Sequence, residues 1–130
     1  MPVVLIEIRR ECTAAEETAL MDAVHAAIVS ALKIPAGDRI VRLQAHPPHR
    51  FACPPGKAQP DLFTLISIDL FSGRSLEAKR TLYATIAAKL GELGISADHI
   101  LVRLREIPRE NWGVRGLPAS EIDLGFKVEV

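Results

Sequence analysis

The chain has 130 residues and a mass of 14.2 kDa, one domain's worth of sequence, and a fold of that size buries roughly two-thirds of its unfolded surface. Hydrophobic residues make up 48% and charged residues 25%, which excludes a disordered chain. Sixteen basic residues balance sixteen acidic ones, so the basic excess of a nucleic-acid binder is missing. No apolar run approaches the length of about eighteen residues that a membrane span needs. The opening MPVVLIEIRRE has no basic region ahead of its apolar stretch and does not read as a signal peptide. Cys12 and Cys53 are too few for a disulfide framework, and a cytoplasmic protein with free thiols is expected.

The apolar run Val3 to Ile8 predicts a first strand. From about Ala14 to Leu32, the residues Leu20, Met21, Val24, Ala27, Ile28, Ala31 and Leu32 recur at helical spacing. Thr13 and Glu16 fit a capping box at the start of that helix, and Pro35 stands just beyond its end. Arg39 to Gln44 predicts the return strand. The segment His46 to Asp61 holds five of the nine prolines; it predicts a linker draped over the surface, because proline suits neither a helix interior nor a central strand. Leu65 to Leu70 predicts a third strand. A second helix is expected from about Leu76 to Leu93, with Ser75 as N-cap, Leu82, Ile86, Ala87, Leu90 and Leu93 as its stripe, and Gly94 at its end. Ile100 to Glu106 predicts a fourth strand. Glycine and proline then mark turns, and Leu124 to Val130 alternates as a terminal strand would.

The order strand–helix–strand thus occurs twice. The N-caps Thr13 and Ser75 stand about sixty residues apart, as do Asp38-Arg39-Ile40 and Asp98-His99-Ile100. The pattern predicts a tandem duplication of a β-α-β unit, with parallel strands inside each unit. Unit one covers about 1–45, the linker 46–61, unit two about 62–107, and a C-terminal hairpin 108–130, all in a single domain.

No Walker loop, Rossmann fingerprint, nucleophile elbow or Cys-x-x-Cys is present, so any site is built from ordinary residues. Pro2 is the first candidate. Once Met1 is removed, it carries a secondary amine at the head of an apolar strand. An α-amino group titrates near about 7.7–8.0, and burial lowers that, so it can serve as base or acid near neutrality. Arg74 lies between a strand end and a helix start, where a guanidinium can hold a carboxylate through two hydrogen bonds; without Pro2, the reading as a solvated loop arginine prevails. Asp38 either handles a water or closes a turn. Trp112 either lines a pocket or anchors a turn. His46, His49 and Cys53 have metal-ligating side chains, but Pro47-Pro48 breaks their register and no metal is expected. Arg103 and Arg105 alternate with Val102 and Leu104 as one polar strand face.

Pro2 at the head of a strand, the two β-α-β units, Asp38 and the stretch Phe71-Ser72-Gly73-Arg74-Ser75-x-Glu77-x-Lys79 together resemble the tautomerase superfamily. Asn111-Trp112-Gly113-Val114-Arg115-Gly116 and Pro118-Ala119-Ser120-Glu121 are similar to its long-chain malonate semialdehyde decarboxylase-like group. The resemblance implies an α/β (α+β) fold of duplicated β-α-β units with a C-terminal β-hairpin, the sheet backed by two helices. It also implies a homotrimer and an enzyme that needs no cofactor. Its site residues would be Pro2 as the catalytic amine, Arg74 as the carboxylate-binding cation and Asp38 as the group that assists water. That group places two arginines near the second helix, where this chain has Ser72, Gly73 and Arg74. Trp112, Leu124 and Phe126 would form an apolar wall around the amine. The implied activity is keto–enol tautomerisation of 2-oxo or enol carboxylic acids. The alternatives are decarboxylation or hydration (including dehalogenation) of small three-carbon acids, or a trimeric binding protein without catalysis.

Overall fold

The computed structural model describes residues 2–130. Met1, whose removal would free the Pro2 amine, lies outside the described residues. The order is β1 (Val3–Ile8), α1 (Ala14–Leu32), β2 (Ile40–Ala45), β3 (Thr64–Phe71), α2 (Leu76–Glu92), β4 (Ile100–Ile107), β5 (Gly113–Val114) and β6 (Leu117–Pro118). The first four strands form one sheet in the order β2-β1-β3-β4. β1 runs parallel to β2, and β3 parallel to β4. The two halves meet through the antiparallel pair β1–β3. Each half is therefore a β-α-β crossover, as the sequence predicts. β5 and β6 form a separate two-stranded ribbon.

Local chemistry accounts for the helix ends. Thr13 accepts from the Glu16 amide, and the Glu16 side chain reaches back to the Thr13 amide, closing the capping box. Ser75 accepts from the Ala78 amide at 3.0 Å. α1 ends on Lys33 in the left-handed region, with Pro35 just after. α2 ends one residue earlier than expected, at Glu92. Gly94, φ +86°, then turns the chain so that the Ile95 amide reaches the Leu90 carbonyl. This turn corrects one core expectation: Leu93 is exposed and Ile95 is buried in its stead. On α1, His25 joins the buried face, bonding Ala36 O through Nε2 at 2.8 Å.

Both helices cover one face of the sheet. Val4, Ile6, Ile8, Ile66, Ile68 and Leu70 meet Leu20, Val24, Ile28, Leu32, Leu82, Ile86 and Leu90 in the main core. Strand alternation sends Val3, Leu5, Glu7, Leu65 and Leu101 to the helix-free face. That face carries a polar ladder, in which Arg103 donates to Ser67 Oγ at 2.9 Å and Arg105 pairs with Asp69. Phe71 has the same parity and is fully buried, because the C-terminal segment folds over it. Ala119 and Val128 complete this second small core, flanked by Trp112, Val114, Leu124 and Phe126.

The linker is pinned to the rest of the fold. Arg9 donates to the carbonyls of Phe51 and Pro60. His99 Nε2 accepts from the Gln59 amide at 3.1 Å, and Lys57 pairs with Asp98.

The expectation of a terminal strand over Leu124 to Val130 is overturned: these residues form bends and open backbone. Gly125, φ +75°, breaks the extended run, and its amide is taken by Asp123 Oδ1 at 2.9 Å. Val128 then packs on Phe71 and the Val130 carbonyl accepts from the Ser75 amide at 2.9 Å. The hairpin of this region is β5–β6, at residues 113–118.

Candidate active site at one end of the sheet

The topology gathers the candidate residues at one edge of the sheet. β1 begins at Val3, whose neighbours are Ile40 at the head of β2 and Asp69 near the end of β3. Pro2 stands one residue upstream and is buried. Asp38 leads into β2 on one side of it. The chain leaving β3 carries Arg74 on the other side. The end of β4 and everything after it reach the same edge.

Arg74 is 5% exposed. Its Nη1 donates to Phe71 O at 3.1 Å, while Nε and Nη2 are buried without a hydrogen-bond partner among the described residues. Burial pushes the guanidinium below its ordinary pKa, the most because charge is taken out of water; Glu129 pulls it back up, Arg109 pushes it down and Glu106 raises it. A buried cation with two idle donors is costly. It is a strong local preference for an anion, and the reading of Arg74 as a solvated loop residue fails.

Asp38 closes a turn through its amide, which donates to Pro35 O at 3.0 Å. It also lines a cleft of about 120 Å³ with Val114, Arg115, Leu124 and Phe126. Two of the three expected wall residues therefore share a cavity with Asp38. Trp112 does not line it. Its ring meets Phe71 edge-on at 5.1 Å and its Nε1 donates to Ile107 O at 3.1 Å, which makes it an anchor of the turn after β4.

Sequence reasoning missed three charged groups here. Arg115, at the hairpin tip with φ +50°, faces the Asp38 cleft; the Arg115-Gly116 turn was its only signal. Arg109 and Glu129 form an ion pair at 3.3 Å beside Arg74. Nothing local in the sequence links them. Among the described residues, no three His, Cys, Asp or Glu side chains gather where they could hold a metal ion. No helix among them is long and apolar enough to cross a membrane.

Two parallel β-α-β crossovers paired antiparallel, with a buried arginine at one end of a four-stranded mixed sheet, define a small α+β protein. A family model described as tautomerase enzyme matches residues 38–115, more than half of the chain. The chain belongs to the tautomerase superfamily. It is 37% identical to a probable tautomerase of Ralstonia nicotianae over 57 residues, 43% of this chain and 81% of that protein. It is 32% identical to the 2-hydroxymuconate tautomerase of Comamonas testosteroni over 56 residues, 42% of this chain and 89% of that one. Among solved structures, a malonate semialdehyde decarboxylase with decarboxylase and hydratase activities superposes with a TM-score of 0.77 at 26% identity, covering 85% of this chain and 88% of that one. A fused 4-OT protein solved as a symmetric trimer superposes with a TM-score of 0.69 at 27% identity, covering 91% and 96%.

Proposed function

We propose that the protein is a cofactor-independent keto–enol tautomerase of 2-oxo or enol carboxylic acids, with Pro2 as the proton carrier. The observation that carries this reading is Arg74: buried, charged, with Nε and Nη2 unpartnered, at the sheet end where β1 starts. In the proposed mechanism, Met1 has been removed and the Pro2 nitrogen is neutral. It takes the proton of an enol hydroxyl, and the resulting prolinium returns a proton to the carbon at the far end of the conjugated system. Arg74 holds the carboxylate and stabilises the negative charge that grows on the substrate as the proton leaves. The burial of Pro2 at the head of β1 supports this role, since it holds the residue away from bulk water. The step moves protons only, so electrons balance without a redox partner. The likeness to a 2-hydroxymuconate tautomerase supports the substrate class.

The test is ketonisation of phenylenolpyruvate and of 2-hydroxymuconate, followed in the ultraviolet. Pro2→Ala should lower kcat/KM by about a hundredfold or more, the usual worth of a positioned acid–base group. Unchanged turnover would remove the amine from the chemistry. Intact mass decides separately whether Met1 is gone.

Asp38 favours a second reading, decarboxylation or hydration of small three-carbon acids, because it faces a cleft that also holds Arg115. The likeness to a malonate semialdehyde decarboxylase supports it. There Pro2 would be protonated and polarise a carbonyl while Asp38 orients water. We also propose a homotrimer, supported by the trimeric relative and by Ile40 and Leu101 left exposed on the helix-free face. Light scattering measures it directly.

A further inference from the structure

The turn that carries Asp38 doubles back along α1 and is tied to it twice. Ile34 is buried at its start, while Pro35, Ala36 and Gly37 are exposed. His25 is 7% exposed, and its Nε2 lies 2.8 Å from Ala36 O. A carbonyl oxygen only accepts, so Nε2 carries the proton and donates. Three residues earlier on α1, Asp22 pairs with Arg39. Residues three apart share a helix face. One face of α1 thus holds the chain on both sides of Asp38, at Ala36 before it and at Arg39 after it. The Asp38 amide closes the turn on Pro35 O at 3.0 Å. The two ties differ in weight. The side chains of Arg39 and Asp22 are 41% and 56% exposed, so water and salt weaken that pair. The His25 ring is closed off from water, which makes its bond the firmer constraint. Asp38 lines its cleft opposite Arg115, Asp123, Leu124 and Phe126, all from the chain after β4. Where its carboxyl stands relative to that wall therefore depends on how α1 holds the turn.

We infer that His25 is a positioning residue for Asp38: through Ala36 O it fixes where the turn sits on α1, and thereby where the Asp38 carboxyl stands in the cleft. The inference rests on the reading in which Asp38 orients water for decarboxylation or hydration. A displacement of about 1 Å in a group that handles the reacting water costs up to about a hundredfold in rate. A helix residue that touches no substrate thus acts on turnover through one carbonyl. Asp22 adds to the hold from the surface.

The experiment compares two variants of the full chain. His25→Gln extends an amide N–H about as far as Nε2 does, whereas His25→Asn falls one methylene short. With aspartate labelled at its carboxyl carbon, NMR at neutral pH reads the Asp38 signal, assigned through Asp38→Asn. That signal should shift in His25→Asn and return toward the parent's in His25→Gln. In the malonate semialdehyde assay, His25→Asn should lower kcat for carbon dioxide release by about tenfold or more while KM stays within about twofold, and His25→Gln should recover most of the loss. If His25→Asn fails to fold, His25→Leu, which also lacks the donor, serves in its place. An Asp38 signal that does not move when the donor is lost overturns the inference. So does a moved signal with carbon dioxide released as fast as by the parent. A loss that His25→Gln leaves in place overturns it too, since packing and not the N–H would then be responsible. Carbon dioxide release that is absent in the parent, or unchanged in Asp38→Asn, overturns the Asp38 reading instead; the NMR signal then still decides whether His25 places the carboxyl.

Discussion

The guanidinium of Arg74 donates through Nη1 to the carbonyl of Phe71 at 3.1 Å. That bond turns the side chain back over the end of β3 and keeps it from solvent. The consequence is a charge held where the fold gains little from it.

Replacing Arg74 should therefore stabilise the protein while removing its proposed activity. Burial makes the folded chain hold the Arg74 proton less tightly than the unfolded chain does. The unfolded chain then binds more protons only in the alkaline range between the two pKa values, and stability rises with pH there. Below that range both states are charged and the folded state bears the full desolvation cost. At neutral pH, Arg74→Met should gain about 1 kcal/mol, a rise of a few degrees in melting temperature. The gain should shrink in strong alkali. A melting temperature several degrees lower would show that the arginine is part of the scaffold's stability.

Gly73 adopts φ +129°, a backbone region that L side chains rarely enter, and a Cβ there would meet Val128 Cγ1 at 3.5 Å. That distance is ordinary contact, so the strain lies in the backbone. Gly73→Ala should cost about 1–2 kcal/mol in urea unfolding and loosen residues 126–130 in hydrogen exchange. Full retention of stability would mean that this turn relaxes freely.

His99 is buried, shares a hydrogen bond between Nδ1 and Ser96 Oγ at 2.9 Å, and takes the Gln59 amide on Nε2. An Nε2 that accepts an N–H carries no proton of its own. His99→Phe keeps the ring's bulk but orphans both partners, at a cost of about 1–3 kcal/mol. Exchange at the Gln59 amide should speed up. If that amide stays protected, His99 does not hold the linker.

Asp38→Asn separates the two enzymatic readings. Ketonisation of phenylenolpyruvate should change by less than about tenfold, whereas any carbon dioxide release from malonate semialdehyde should fall by about a hundredfold. Equal loss in both assays would make Asp38 part of the shared proton path.

Much of this fold is legible in the residue order because its cues are short-ranged. Thr13 and Glu16 close their capping box over three residues, and the stripes of α1 and α2 repeat every three or four positions. The four strands of the main sheet lie within one residue of their expected bounds. Leu93 shows where that logic stops: it fits the helical spacing, but the helix unwinds at Glu92 and Ile95 swings into the core. The alternation of Leu124 to Val130 misleads for a related reason. Alternation promises a strand only when a neighbouring edge is free to pair, and here Gly125 turns the chain at φ +75° with its amide taken by Asp123.

What the amino-acid order determined was the pair of β-α-β units and their caps, which rest on spacing and residue type, while the candidates Pro2, Asp38 and Arg74 took their roles from the family resemblance. What only the tertiary structure decided was the condition of those groups. Antiparallel pairing of β1 with β3 brings the start of one strand to the end of another. The path of the final residues packs Val128 on Phe71 and lays Glu129 against Arg109, twenty positions away. Burial and electrostatic neighbours depend on distance through space, and distance along the chain does not encode them.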